Sequence, residues 1–349
     1  EVARRFKKSA FVPFRFRDKV YALPEMQGFP VMFYRQDILT ELGLDIPQTW
    51  EDVHKIIPVL QRHHMQFGLA ADISTMLMFL YQKGIALYKE DGIQTNLDSE
   101  TAVRTFIDVA NFFTIYDLPL TFNVENRFRL GEMPLVIASY GLYNTLKVFA
   151  PELRGEWAFA PVPGTVQPDG TINRTVPVGG TVLGAQVTVP PGTTGAVIMD
   201  QTDRPETAWE FLKWWTRQDT QVRFGLELES LMGDAARYAT ANVEALKQLP
   251  WKPEELDNLL CQWDWVEGVP PVLGSYYVSR QFDWLFRAVV INNEPVRESV
   301  QDYDRAANLE IARKRQEFGL ETDYHKLPEE IKQLYWDHYT HVKGLEAEE

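Results

Sequence analysis

The sequence predicts an α/β protein of two lobes joined by hinge crossovers, with a helical extension at the C-terminus. Short apolar runs bounded by Gly and Pro alternate with segments of helical periodicity along most of the chain, the signature of strands layered against helices. Irregular junctions rich in Gly or Pro interrupt that alternation near 24–30, 177–181 and 228–240. Repeated chain passes between two α/β bodies restrain them to a bending motion and leave a solvent-filled cleft between them.

The elements follow in order. Tyr21-Ala-Leu-Pro24 reads as a short strand that meets a polar break containing Gly28 and Pro30, resumes as the apolar run Val31 to Tyr34, and leads through a helix. Gln48-Thr-Trp-Glu-Asp52 starts a second helix: Thr49 caps it, Asp52 falls three residues on, and Val53, Ile56, Ile57 and Leu60 share a face. Pro58 inside this pattern predicts a kink or a break into two short helices. A strand over 67–71 and an apolar helical run from Thr75 to Tyr81 come next. Asp98-Ser99 then caps a helix carrying Val103, Phe106, Ile107, Ala110 and Phe113. A short helix with Phe128 leads through Gly131 to a strand over 134–139, and Trp157 to Pro163 is another strand, ending in a hairpin region up to Arg174. Val178 to Ala185 reads as one Gly-punctuated strand, in which Gly179 and Gly180 permit positive φ or close backbone approach. Asp203-Arg-Pro-Glu206 caps a helix with Ala208, Phe211, Leu212 and Trp215. An irregular stretch covers 231–238. From Pro253 onward the pattern is mostly helical, with Arg305 to Phe318 a solvated amphipathic helix.

Composition bounds the function. At 349 residues the chain is long enough for two cores, and 45% hydrophobic content is ordinary for a globular protein. No apolar run approaches the roughly 20 residues of a bilayer span. With 35 basic and 49 acidic residues the formal charge is −14, which argues against nucleic acid, whose capture relies on clustered Lys and Arg. The basic run at Arg4, Arg5, Lys7 and Lys8 reads as a solvated face. The single Cys261 excludes an internal disulfide framework. The start shows no leader-like apolar stretch and no Cys for a lipid anchor, so an exported form is expected to be processed, truncated or part of a longer polypeptide. His63 and His64 are adjacent and point apart on a helix, and His338-x-x-His341 lacks a clear third ligand, so neither a metal nor a cofactor is expected. Gly-x-Ser-x-Gly and the phosphate-cradling Gly-x-x-x-x-Gly-Lys are absent.

Four motifs resemble those of ABC-transporter extracellular solute-binding proteins, the maltodextrin-binding-like group. They are Tyr21-Ala-Leu-Pro24 through Phe33-Tyr34 to Asp37-Ile-Leu39 and Thr49-Trp50-Glu51; Phe128-Arg-Leu-Gly-Glu-Met133 followed by Leu135-Val-Ile-Ala138; Val178-Gly-Gly180 with Ala208-Trp-Glu-Phe-Leu212; and Tyr276-Tyr-Val-Ser-Arg280 with Phe286-Arg-Ala-Val-Val290. Their order and spacing carry the likeness, over roughly 20–310. The resemblance implies a periodic division of a type II periplasmic-binding-protein-like fold: 1–24 and 181–228 in the first lobe, 25–177 and 240–349 in the second. It also implies a sugar or related polyhydroxylated solute as ligand, an ABC permease as membrane partner, and an extracellular, cell-surface or periplasmic location. The chain departs from the family at its start. Members carry further βαβ units before the Tyr-Ala-Leu-Pro strand, whereas residues 1–20 precede it here, so the first lobe is either reduced or completed by material outside this chain.

Candidate ligand residues lie at the junctions. Glu25 and Gln27 follow Pro24 and suit sugar hydroxyls, or are ordinary hinge polarity; Phe29 offers a ring to ligand or to the core. Tyr140 and Tyr143 follow the 134–139 strand, near where the family places a cleft aromatic; aromatic faces stack on sugar C–H faces, and one of the two is expected to touch ligand, Tyr143 being the better candidate for a core position. Gly180 permits close approach at the second crossover. Trp263, Tyr276 and Tyr277 belong to the densest aromatic–polar stretch, and Arg280 fits a carboxylate or hydroxyl pair by its planar fork, or pairs with Asp283. Arg237 sits in the third crossover. Two other readings remain open at this point: a glycoside hydrolase or lyase, which needs only two well-placed carboxylates, and a non-transport binding module of a larger secreted polypeptide.

Overall fold

The computed structural model describes residues 1–89, 92–183 and 185–320. The chain steps between two four-stranded sheets at the bend Gly28-Phe29. Strand Leu23–Gln27 forms one edge of a sheet that continues through Thr193–Ala196 and Gly180–Val182 to Ala185–Gln186. Strand Pro30–Arg35 lies inside the other sheet, antiparallel to Leu135–Ser139 on one side and to Trp157–Ala160 on the other. Phe67–Gly68 completes that sheet in parallel with Leu135–Ser139. Met32 and Phe33 are fully buried, as befits an apolar run covered on both faces.

The second pass differs from the reading of Val178 to Ala185 as one strand. Val176–Val178 pairs in parallel with Val266–Gly268, whereas Gly180–Val182 belongs to the sheet of Leu23–Gln27. The break falls at Gly179, where a Cβ would stand 2.4 Å from the carbonyl oxygen and Oγ1 of Thr188 and 2.6 Å from the carbonyl oxygen of Pro190. Backbone meets backbone there too closely for any side chain. The passes are tied directly: Gly28 N donates to Gly192 O at 2.6 Å, Gly179 N to Pro190 O at 2.5 Å, and Thr193 N to Gly179 O at 2.9 Å. The third pass runs beside Leu23–Gln27, with Gln27 N donating to Ala239 O and Ala241 N to Glu25 O, both at 2.9 Å.

Apolar burial is divided in a similar way. One large cluster runs from Phe29 to Ile311. A small one joins Phe6, Phe11, Leu23, Leu212 and Ala241, with Val2, Ala196 and Ile198 packed against it.

Helix starts follow local chemistry. Trp50–Arg62 opens on a capping box between Thr49 and Asp52. It runs unbroken through Pro58, contrary to the expected break. Pro58 is exposed, so its ring stands on the outer side of the helix, where the lost N–H bond costs least. Ser99 accepts from Ala102 N at 3.2 Å and starts Glu100–Thr114. Asp203 does not cap the next expected helix: Pro205–Trp215 begins after Arg204 with no side-chain cap, and Pro205 at its first position removes one orphan N–H instead. Helix Gln218–Met232 extends into the stretch read as irregular. Ser275–Val290 and Val296–Glu317 complete the large body; Phe282 and Phe286 of the former meet Phe106 and Phe113 of Glu100–Thr114 edge-on at 5.8 and 5.2 Å. The expected extension past Phe318, like His338 and His341, lies almost wholly outside the described residues. Among the described residues, no helix is long and apolar enough to cross a membrane.

Candidate functional site

A cleft of about 230 Å³ opens where the two sheets meet. Its floor is Phe29 and Pro30 at the first bend together with Ile137, Ala138 and Ser139 at the end of a strand. Its sides are Ala70, Asp72, Ser74, Thr75 and Met78 on one hand and Pro177, Pro190 and Pro191 of the second pass on the other. The position has a cause. Phe67–Gly68 and Leu135–Ser139 run parallel, so their carboxyl ends point the same way, and a crevice forms beyond them where the chain changes sheet. Burial along Leu135–Ser139 falls from core to solvent, with Ser139 exposed.

Asp72 shapes one side. It is the cap residue of helix Ile73–Gln82, and its Oδ1 accepts from Ser74 N at 2.8 Å and Thr75 N at 3.2 Å. Thr75 Oγ1 donates to Ala70 O at 2.6 Å and locks the preceding turn. Asp283, on helix Ser275–Val290, lies close enough for the Asp72 charge to matter: burial first, then Asp72, push its carboxyl pKa up, while Arg287 pulls it down. The remaining walls are mostly apolar, so polar contacts are few and fixed, as in sites that orient a small solute.

The sequence candidates fall at different depths around this cleft. Phe29 lines it, although only 2% exposed, and rests on Tyr140 and Trp263 with ring centroids 4.8 and 5.7 Å away. Gln27 is fully buried: its Oε1 accepts from Thr193 Oγ1 at 3.1 Å and its Nε2 donates to Gly28 O at 3.2 Å, so its amide braces the crossover. Glu25 accepts from Trp215 Nε1 at 3.0 Å, on the sheet away from the cleft lining. Gly180 is buried, and a Cβ there would strike Phe14 and Pro13; its N–H donates to Thr188 Oγ1 at 2.8 Å.

Neither tyrosine presents a ring face to solvent; burial matches the core alternative for Tyr143 and departs from the expectation that one of the pair lines the cleft. Tyr140 is 3% exposed and donates its hydroxyl to Gln27 O. Tyr143 is 2% exposed; it receives Arg237 Nη1 at 3.1 Å and donates to Glu255 Oε2 at 3.4 Å. Burial pushes both phenol pKa values up. The rings pack inward because the turn after Ser139 feeds directly into helix Leu142–Phe149, which lies on the large core. Trp263, at the end of helix Pro253–Trp263, is also buried and sits behind Phe29. Arg237 faces inward too, in the ion pair with Glu229.

Tyr276, Tyr277 and Arg280 lie on Ser275–Val290, the helix that brings Asp283 toward Asp72. Tyr276 is exposed and donates to Glu310, Tyr277 sets its ring edge-on to Trp284 at 6.2 Å, and Arg280 is exposed. None of the three lines the cleft in this conformation. Among the described residues, no group of three or more His, Cys, Asp or Glu is placed to hold a metal ion. Sequence reasoning did not single out Asp72, Ser74, Ser139 or the prolines at 177, 190 and 191. The readable signal was Asp72-x-Ser-Thr75 before an apolar helix, a cap whose second oxygen takes no hydrogen bond among the described residues.

A sequence model of bacterial extracellular solute-binding proteins matches residues 2–222. No curated protein matches the chain. Solved structures share its fold at low identity. The sugar-binding protein MalE from Xanthomonas citri is 18% identical with a TM-score of 0.69, over 91% of this chain and 78% of that one. An ABC transporter solute-binding protein from Thermotoga lettingae, bound with α-D-tagatose, is 14% identical at TM-score 0.68, over 89% and 77%. The maltose-binding periplasmic protein MalE from Listeria monocytogenes, in complex with maltose, is 14% identical at 0.68, over 90% and 78%.

Proposed function

The chain belongs to the bacterial extracellular solute-binding proteins, and from that premise we propose that it captures an oligosaccharide or related polyhydroxylated solute for an ABC importer. The observation that carries this reading is the cleft at the sheet junction, where the strand-end crevice meets the tied crossovers at Gly28, Gly179 and Gly192. Pro30, Ile137 and Pro191 supply exposed or half-buried apolar surface and Asp72 and Ser139 supply polar groups, the mixture that suits a sugar's C–H faces and hydroxyls. Sugar ligands in similar folds, α-D-tagatose and maltose among them, support the same class.

Capture proceeds by closure. The body built on Pro30–Arg35 and the body built on Leu23–Gln27 bend about the crossovers; the first crossover lies at Gly28-Phe29, so residues 25–27 move with the body of 1–24 rather than with 30–177. A solute touching both sides stabilises the closed form by its differential affinity. No bond of the solute need change, so the site works without a catalytic group. The loaded form then docks on a membrane permease, from the cell surface or the periplasm.

A thermal-shift screen over a carbohydrate and peptide panel tests this reading. A bound sugar at a hundredfold excess over its Kd adds about 2.7 kcal/mol of stability, so at least one oligosaccharide is expected to raise Tm by several degrees. Shifts by peptides alone, or cleavage of the sugars during incubation, would contradict it.

A further inference from the structure

Building on the sugar reading, we infer that Asp72 makes the cleft select against acidic solutes: neutral and amino-bearing sugars enter, whereas uronates and phosphorylated sugars are turned away. Asp72 is the one charged side chain among the described lining residues. Its Oδ1 is committed to Ser74 N and Thr75 N, which fixes the carboxylate against the cleft wall. Its Oδ2 takes no hydrogen bond among the described residues, and can accept from a hydroxyl or an ammonium group. A ligand carboxylate or phosphate placed there would face it with like charge beside mostly apolar walls, where such repulsion is least screened.

The surrounding charges modify this without reversing it. The N-terminus of Ile73–Gln82 contributes roughly half a positive charge at Asp72, less than the carboxylate it holds. Asp283 adds a second carboxyl from the facing helix, and Arg287 lies beside Asp283 rather than in the lining. Arg280, the sequence candidate for a sugar acid, is exposed on that helix and absent from the lining. Among the described lining residues, a solute carboxylate therefore finds no guanidinium to offset Asp72.

Calorimetric titrations of the full chain with maltotriose, the trimer of glucosamine and trigalacturonate test this. The wild type is expected to bind the neutral and amino trimers at least about tenfold more tightly than the acidic one. Asp72→Asn and Asp72→Ser both remove the charge yet retain good helix-capping side chains, so the fold is expected to persist in at least one of them. In these variants the preference for the amino over the acidic trimer should fall by about tenfold or more. Equal binding of neutral and acidic trimers by the wild type, or an unchanged preference in both variants, would overturn the inference while leaving the sugar reading standing. Failure of all three trimers to bind the wild type would remove the sugar reading and the inference together.

Discussion

Replacing Arg237 by Ala is expected to lower the free energy of unfolding by about 3–5 kcal/mol. The guanidinium is 7% exposed and forks onto Glu229, with Nε 3.2 Å from Oε2 and Nη2 2.5 Å from Oε1. Its Nη1 donates to Tyr143 at 3.1 Å and stands 3.9 Å from Glu255, while the group lies 4.6 Å above the Trp251 ring. Truncation leaves Glu229 and Glu255, both largely sheltered, without the guanidinium, and Glu255 keeps only the exposed Lys252 at 4.0 Å among the described ion pairs. The same residue links helix Gln218–Met232 to helix Pro253–Trp263 across the third pass. Urea denaturation measures the loss, and Glu229→Gln in the Arg237→Ala background should recover part of it by removing the orphaned charge. A loss under about 1 kcal/mol would show that solvent reaches the pair freely.

A second large effect is a stability term that falls as pH rises. Asp304 is 6% exposed, and burial first of all pushes its carboxyl pKa up to about 6 from 3.8. Hydrogen bonds from Thr95 Oγ1 and Asn308 Nδ2 pull it down, as does Lys89, and Asp98 pushes it further up. Because the folded value lies above the unfolded one, the native state holds this proton more tightly between the two. The contribution is fully present below about pH 4 and is lost as pH rises through about 6, by up to about 3 kcal/mol. Denaturation midpoints measured across that window should show the downward step in the wild type and not in Asp304→Asn, whatever the absolute stability of the variant. Parallel profiles would place the titration elsewhere.

Much of the frame was legible because it depends on local chemistry. Thr49 and Asp52 are three apart, and a capping box forms from just that spacing. The run Val31 to Tyr34 is apolar on both faces, and the strand is interior. Gly and Pro near 28–30 and 179–180 marked places where the chain changes sheet, although the one-strand reading of 178–185 missed that Gly179 is itself the change. Periodicity does not show which sheet accepts a strand. Pro58 was misjudged because its tolerance depends on facing water, which a helical count does not reveal.

The cleft was less legible than the frame. Tyr140, Tyr143 and Trp263 are large aromatic residues near a junction, and the same property that suits them to a sugar suits them to the core beneath it. Depth decides between the two, and depth depends on helix Leu142–Phe149 folding back over the large cluster. Phe29 reaches the lining because it stands at the bend itself, with Tyr140 and Trp263 supporting it from below. Asp72 was passed over because capping explains an Asp before a helix completely. Only the position of that helix start, beyond the ends of two parallel strands, gives its second oxygen another use.

Small-angle X-ray scattering with and without a saturating oligosaccharide, chosen from the thermal-shift panel, tests the account at its centre. Two bodies bending about tied crossovers predict a smaller radius of gyration once the cleft is filled. A sugar that binds tightly while the scattering curve stays unchanged would contradict capture by closure.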